Sequence, residues 1–197
     1  MRSPFHSSLA VAALALLLTA CSESFTDLRD GQSYDVVKIG NLTWMAENLN
    51  FATEASVCPD GDSRNCKRLG RLYTWSEAKT VCPEGWRLPT NADFESLLAQ
   101  SNAGAVLNDV GAKLKSRDGW FKKGNGSDEF GFNALPAGYG TGRKFDGIGG
   151  YAYFWSATED LENPESNAYY LFLSFNSDAA SLNAFSKEDY RSVRCVQ

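Results

Sequence analysis

The sequence predicts an α+β domain in which two short helices pack on a small antiparallel sheet with long Gly/Asn-rich loops. The first observation is the order of the patterns, because strand patterns open the domain, helix patterns follow and strand patterns close it. The second is the density of Gly and Asn over residues 124–150, which indicates long loops. The third is size, since 197 residues with 43% hydrophobic content favour one domain with a packed core.

Strands are predicted at both ends of this domain. Residues 34–39 and 42–45 have strand composition, and Gly40-Asn41 between them suits a tight turn. After the loop-rich segment, three more stretches are rich in aromatic and β-branched residues. We expect these to form an antiparallel meander; they are residues 151–156, 169–175 and 192–196.

Two helices are predicted between the strand regions. Residues 72–81 indicate a short helix that ends near Cys82. Thr90, with Asp93 three positions later, is typical of a helix start, and the apolar residues that follow recur at helical spacing. A further helical stretch is expected around residues 107–114.

Residues 1–20 have the composition of a removable export signal. The run of Leu, Ala and Val over residues 9–18 fits the apolar part of a signal peptide. It is too short to span a bilayer, which needs about 20 apolar residues. The segment Leu18-Thr19-Ala20-Cys21 then resembles the lipobox of bacterial lipoproteins, in which the Cys thiol receives diacylglycerol and the signal is cut before it.

Lipidation at Cys21 implies an exported protein that is anchored in a membrane by its lipid. Residues 21–29 would then be a tether, and residues 30–197 the folded domain. Three acyl chains bury far more CH₂ groups than one myristoyl chain, so attachment should be firm. By resemblance to bacterial sorting rules, Ser22 after the Cys favours the outer membrane. The alternative is ordinary secretory cleavage after Ala20, which would leave Cys21 as a spare thiol.

The charge and the missing histidine exclude several classes of function. The chain has 19 basic and 24 acidic residues, so a basic nucleic-acid module is excluded and no nucleic-acid partner is expected. The one His lies in the predicted signal. The processed chain would therefore carry no His, which excludes Ser-His-Asp and Cys-His nucleophiles and His-ligated zinc.

Four further cysteines would lie in an oxidising compartment, where disulfides persist. Four cysteines allow three connectivities. Cys58 and Cys66 flank a turn-forming run at residues 59–62, so they are the natural local pair. This leaves Cys82 to pair with Cys195. The alternative is a metal site with four Cys ligands, against which the spacing argues, because no two of these cysteines have the usual short metal-ligand separation.

The order of elements and several motifs resemble the C-type lectin-like fold. In that fold, a Cys after the first helix is bridged to the last strand. The residues that carry the resemblance are Tyr73, Trp75, Ala78, Cys82, Gly85 and Leu88 around the first helix, Asn91 and Glu95 at the second, and Val193, Arg194 and Cys195 in the closing strand.

A more specific resemblance covers almost all of residues 30–196. Six ordered blocks are similar to the Fibrobacter succinogenes major paralogous domain. They are residues 37–40 with 43–50, then 70–75, 82–90, 131–139, 154–159 and 192–196. The resemblance implies exported bacterial proteins, often lipoproteins, with no established activity.

Trp120 and Tyr139 are the candidate ligand-binding residues. Aromatic rings beside polar groups suit the faces of sugars, and aromatic residues are enriched at binding sites. Trp120 lies next to the loop-rich segment, so we expect an exposed indole there, and Tyr139 lies within that segment. Most of the other tryptophans should belong to the core, because Trp is usually buried. These are Trp44, Trp75, Trp86 and Trp155.

A calcium site is the second hypothesis. Asp60, Asp62 and Asn65 lie in the loop that Cys58 and Cys66 would close, and oxygen ligands suit this hard cation. The segment lacks the spacing and terminal Glu of an EF-hand, and solvated turn residues are the alternative interpretation. No other cofactor is expected.

The sequence therefore predicts a lipid-anchored envelope or cell-surface module that binds a glycan or protein ligand through its loop-rich half, with no catalytic residues. One alternative is a degenerate or unusual enzyme that resembles the sulfatase-modifying oxidases, which need active-site thiols. Here every Cys already has another predicted role. The other alternative is a structural envelope lipoprotein without a ligand.

Overall fold

The computed structural model describes residues 23–101 and 109–197. Over these ranges the chain is α+β, with four helices and mostly antiparallel sheets, as the sequence predicts. None of the helices in the described ranges is long and apolar enough to cross a membrane. The predicted signal at residues 1–20, the predicted lipidation site Cys21, and residues 102–108 lie outside the described residues.

A three-stranded antiparallel sheet opens the domain. It comprises β1 (Glu23–Thr26), β2 (Ser33–Ile39) and β3 (Leu42–Met45), in that order across the sheet. The two predicted strands correspond to β2 and β3. The prediction of a tether over residues 21–29 is wrong at β1, which pairs along its length with β2. Its one apolar side chain is Phe25, whose ring lies 5.2 Å from Trp86. A single apolar residue gives no alternating pattern by which a strand could be recognised.

The first predicted helix is replaced by a strand and a shorter helix. Residues 72–81 contain β4 (Leu72–Tyr73) and α2 (Trp75–Ala78). Leu72 exchanges backbone hydrogen bonds with Val57 and also pairs with the last strand of the sheet, so tertiary pairing overrides local helix preference there. An unpredicted helix, α1 (Ser63–Leu69), follows a short turn of 3₁₀ helix within the Cys58–Cys66 loop.

The next helices agree better with the sequence. Helix α3 (Asn91–Ser101) begins where predicted, because the backbone N–H of Asp93 donates to Thr90 Oγ1 (3.3 Å) and the Thr90 N–H donates to Asp93 Oδ2 (2.7 Å). This reciprocal pair satisfies N–H groups that the helix itself leaves unbonded. Helix α4 (Val110–Leu114) accounts for the described part of the stretch predicted around residues 107–114.

A five-stranded sheet forms the centre of the domain. Its new strands are β7 (Tyr151–Glu159), β8 (Asn167–Ser174), β9 (Ala180–Ser186) and β10 (Arg191–Ser192), and the order across the sheet is β4-β10-β7-β8-β9. Only β10 and β7 run parallel. The strand predicted over residues 192–196 is shorter than expected, although Val196 still bridges to Trp44 and Arg87.

The prediction that residues 124–150 form only loops is wrong. They contain a hairpin of β5 (Ala137–Thr141) and β6 (Lys144–Ile148), which turns at Gly142 with φ of +60°. Gly138 and Gly140 lie within β5. The hairpin backbone and an aromatic ring approach them so closely that no Cβ would fit at Gly138, and at Gly140 one would be crowded. Because glycine has no side chain, these positions also lack the alternation of apolar and polar residues by which a strand is recognised.

Both expected disulfides are present. Cys58 pairs with Cys66, and Cys82 pairs with Cys195, with Cα atoms 4.9 and 5.9 Å apart. Two main apolar clusters lie on opposite faces of the central sheet. One contains Trp155 and the other contains Phe154. The four tryptophans expected in the core are buried there.

Candidate binding site

One face of the central sheet carries a connected group of aromatic rings. Residues directly opposite one another in antiparallel strands share a face. The register pairs Tyr153 with Phe172 and Trp155 with Tyr170, and Tyr151 lies two residues from Tyr153 on the same face. Of these five side chains, only Trp155 is fully buried, and the other four are half-buried.

The β5–β6 hairpin adds Tyr139 to this group. Its ring lies 5.2 Å from that of Tyr153, which in turn lies 5.1 Å from Phe172 and 5.5 Å from Tyr170. The Tyr151 ring stacks on Phe172 at 5.8 Å. We call the half-exposed rings of Tyr139, Tyr151, Tyr153, Tyr170 and Phe172 the aromatic face. The sequence-based expectation for Tyr139 therefore corresponds to a side chain within a continuous aromatic surface.

A buried cation contacts the rings of the aromatic face. The Arg191 side chain is only 2% exposed, and its guanidinium carbon lies 4.1 Å from the Tyr170 ring and 5.1 Å from the Tyr153 ring. Its Nη2 donates to Asp189 Oδ2 at 2.8 Å, and Thr141 in β5 donates to the other oxygen of that carboxylate at 2.9 Å. The pair thus ties the hairpin, the sheet and the rings together, and cation–π contacts hold the rings in place.

Two tyrosines of the aromatic face, Tyr153 and Tyr170, stay neutral in ordinary buffers. Burial raises the pKa of Tyr153 and of Tyr170 above the usual value. Within the described ranges, the hydroxyls of the aromatic face make no hydrogen bond to another residue. Each is therefore a donor and acceptor available to a ligand.

The aromatic face ends at two open grooves separated by Phe175. The ring of Phe175 lies 6.2 Å from Tyr151 and 6.3 Å from Phe121. The acidic groove has a volume of about 450 Å³, with Asp60 and Asp146 beside Phe121, Phe145 and Tyr151. The lysine groove has a volume of about 420 Å³ and is lined by Lys122, Lys123, Phe175, Asn176, Ser177 and Asp178. Each groove therefore combines an aromatic wall with charged and polar groups.

The expectation that Trp120 is an exposed platform is wrong. Its side chain is 5% exposed, and its indole Nε1 donates to Ser116 Oγ at 3.0 Å and to the Ala134 carbonyl at 3.2 Å. The preceding Gly119 adopts φ of +88°, and the turn directs Trp120 inward. Its neighbour Phe121 is 55% exposed and borders the acidic groove. The sequence analysis thus identified the correct segment, but its exposed aromatic residue is Phe121 and not Trp120.

The three residues of the calcium hypothesis do not offer their oxygens to one point. Asp62 caps helix α1 and pairs with Arg64 at 2.5 Å, and this partner lowers the Asp62 pKa to about 2. Asn65 donates to the Pro59 carbonyl, and its Oδ1 accepts from Arg68. Asp60 instead lines the acidic groove. In the described part of the chain, no three His, Cys, Asp or Glu side chains are grouped to hold a metal ion.

Several residues of the site could not be recognised in the sequence. Tyr151, Tyr153 and Phe172 were predicted as strand residues, and nothing in a strand pattern tells which face another layer will cover. No sequence motif or pattern indicated that Arg191 belongs to the site. The alternation of Tyr151, Tyr153 and Trp155 was the available hint, because it places three aromatic rings on one face of this strand.

The comparisons with known proteins identify a family. Residues 37–197 match the model of the Fibrobacter succinogenes major domain. No curated protein and no solved structure matches the chain. The matched residues begin within β2 and include β3, the central sheet, both disulfides and the whole aromatic face. The chain therefore belongs to the Fibrobacter succinogenes major domain family.

Proposed function

We propose that this protein is a lipid-anchored binding module of the bacterial envelope or cell surface, and that it binds a glycan through the aromatic face and its two grooves. The observation that carries the proposal is the continuous set of half-exposed rings that leads from Tyr139 to Phe121. Rings of this kind offer flat apolar surface to the CH groups of a sugar ring. Tyrosine hydroxyls and the charged groove residues offer hydrogen bonds at the edges.

The chemistry of the surface favours a sugar chain over other ligands. The grooves are open and combine an aromatic wall with charged groups, whereas sites for apolar small molecules enclose most of the ligand. The charges around them are mixed, with Asp60 and Asp146 on one side of Phe175 and Lys122 and Lys123 on the other. An extended polysaccharide can follow such a surface over several sugar units.

We also propose that the fold is of the C-type lectin-like kind. The support is the disulfide from Cys82, which follows the α2 region, to Cys195, which follows the last strand. The two helices α2 and α3 follow β4 and precede the other four strands of the central sheet, β7 to β10. The proposed ligand surface would then belong to the loop-rich half of that fold.

A screen of defined soluble polysaccharides against the purified full-length protein in detergent tests the binding proposal. We expect at least one polysaccharide to bind, and EDTA to leave the affinity unchanged, because Asp62 and Asn65 are occupied by arginine side chains and a carbonyl. Loss of binding in EDTA would restore the calcium hypothesis. Binding to no glycan would contradict the proposal and favour a structural envelope lipoprotein. Turnover of a bound glycan would favour the enzyme alternative.

Membrane attachment is tested by replacing Cys21. The Cys21→Ala protein is expected to fold, because the other four cysteines pair with one another. It should take up no radiolabelled fatty acid, and in cell fractionation it should be released from membranes by high salt. The matched control is Ser22→Ala, which keeps the thiol and should remain labelled and membrane-bound. Wild-type protein without label, or a Cys21→Ala protein that stays with the membranes, would contradict the lipid anchor.

A further inference from the structure

Strand β9 forms one edge of the central sheet and pairs on one side only, with β8. The edge of a sheet presents unpaired N–H and C=O groups, and natural proteins usually protect such an edge with Lys, Pro, a bulge or a covering segment. Strand β9 has the sequence ASLNAFS, with no charge and no Pro, and its pairing with β8 is continuous without a bulge. This edge carries none of the usual protection within the strand itself.

The hydrogen-bond pattern shows which backbone groups face outward. The Lys187 N–H donates to the Ser166 carbonyl at 2.8 Å, just beyond the end of the β8–β9 pair. In antiparallel strands, only alternate residues make backbone hydrogen bonds to a given neighbouring strand. The register therefore shows that β9 bonds to β8 through Phe185, Asn183 and Ser181. The N–H and C=O groups of Leu182 and Ala184 therefore point away from β8. No hydrogen bond from another described element reaches them.

The outward-facing residues are spaced so that the strand complements itself. If two β9 strands pair antiparallel about a two-fold axis through Asn183, Leu182 of each copy lies opposite Ala184 of the other. Both residues then exchange N–H···O=C bonds across the new interface. In the same register, the 59%-exposed Phe185 lies opposite the small Ser181, and the two Asn183 amides face each other.

We propose that this edge joins two copies of the chain, β9 to β9, into one continuous ten-stranded sheet. A second copy fits better than a foreign peptide. Peptide-binding edges gain specificity from pockets for alternate side chains, and neither the acidic nor the lysine groove includes a residue of β9. A second copy of this uncharged strand can pair without a clash, because the bulky Phe185 faces the small Ser181 and no like charges meet. This pairing does not depend on glycan binding.

The proposed dimer has a consequence for avidity. Side chains on one face of a sheet remain on that face across a new strand pair, so the two aromatic faces lie on the same side of the joined sheet. A long ligand could then contact both copies, which raises avidity without any new contact in either site. One strand pair buries little area, so a dissociation constant in the micromolar range is expected in solution. Anchoring in a membrane would raise the local concentration.

Cysteine cross-linking in cell envelopes tests the register. Asn183→Cys places two thiols opposite each other at the axis, and full-length protein should migrate as a covalent dimer on a non-reducing gel after mild oxidation. Ser181→Cys is the matched control, because its thiol faces Phe185 of the second copy, and it should remain monomeric. An Asn183→Cys protein that stays monomeric, or equal cross-linking of both variants, would overturn the proposal.

A second pair of variants avoids any dependence on the new thiols. Ala184→Pro removes an outward N–H without breaking a ladder bond to β8, so the monomer fold should be kept. Ala184→Val keeps that N–H. In analytical ultracentrifugation of the full-length protein in detergent, wild type and Ala184→Val should dimerise with rising concentration, whereas Ala184→Pro should remain monomeric. A monomeric wild type, or an Ala184→Pro protein that dimerises as wild type does, would contradict the β9 interface.

Discussion

Replacing both Cys82 and Cys195 by Ala is expected to lower the free energy of unfolding by about 5 kcal/mol. The disulfide joins residues 113 positions apart, and Cys195 is fully buried. In the loop-entropy account, the bond removes conformations from the unfolded chain, and a longer closed loop gives a larger effect. A domain of this kind has a total stability of only about 5–15 kcal/mol. This loss is therefore a large share of the total stability, and the double variant should unfold at a much lower urea concentration than wild type.

The Cys58–Cys66 disulfide provides the matched control. Its sequence separation is 8 residues, for which the same account gives about 2.6 kcal/mol. In urea unfolding followed by tryptophan fluorescence, the Cys58→Ala/Cys66→Ala protein should have a free energy of unfolding about 2 kcal/mol higher than that of the Cys82→Ala/Cys195→Ala protein. Equal losses, or a larger loss from the short loop, would contradict the view that the long disulfide secures the closing strand.

Replacing Arg194 by Met is expected to lower the free energy of unfolding by about 1–3 kcal/mol, the cost of leaving a buried hydrogen-bonding group unsatisfied. The Arg194 side chain is fully buried, and burial lowers its pKa to about 9, so it remains charged at neutral pH. Its guanidinium donates to Asn48 Oδ1 at 2.6 Å. It also donates to the backbone carbonyl oxygens of Met45 and Phe132. Met would retain the packing volume but leave these buried acceptors without a donor.

The control for Arg194 is a surface arginine, whose side chain makes an exposed ion pair instead of buried hydrogen bonds. Arg64 pairs with Asp62 but is largely exposed. The Arg64→Met protein should show the urea midpoint of wild type, because solvent screens an exposed pair. If both variants unfold at the wild-type urea concentration, Arg194 does not hold the segments around Asn48 and Phe132 to the last strand.

Local signals in the sequence predicted a useful part of this fold. The Thr90–Asp93 pair marked the start of α3 correctly, because a capping box depends only on residues close in sequence. The disulfide connectivity followed from the turn between Cys58 and Cys66. The hairpin within residues 124–150 was missed, since its glycines are there for close backbone contacts and give no alternating pattern.

The candidate site could be predicted only in part, because it depends on long-range register. Tyr139 was a candidate from its place in the loop-rich half, but its contact with Tyr153 needs the hairpin to fold over the sheet. The turn at Gly119, which has a positive φ, determines that Phe121 rather than Trp120 is exposed. The spacing of apolar residues in the sequence does not reveal such a turn. Arg191, whose buried guanidinium contacts these rings, lies in a two-residue strand, which is too short to give a recognisable sequence pattern.

The central claim is that the aromatic face and its grooves bind the ligand. The most direct test compares Phe121→Ala with Leu161→Ala, since both side chains are apolar and exposed, at 55% and 89%. Leu161 lies beyond the far end of β7, which is nine residues or roughly 30 Å long, while Phe121 packs near its start. Calorimetry with the polysaccharide that binds best in the screen should show about tenfold weaker binding for Phe121→Ala and wild-type affinity for Leu161→Ala. Equal affinities for the two variants would contradict the claim.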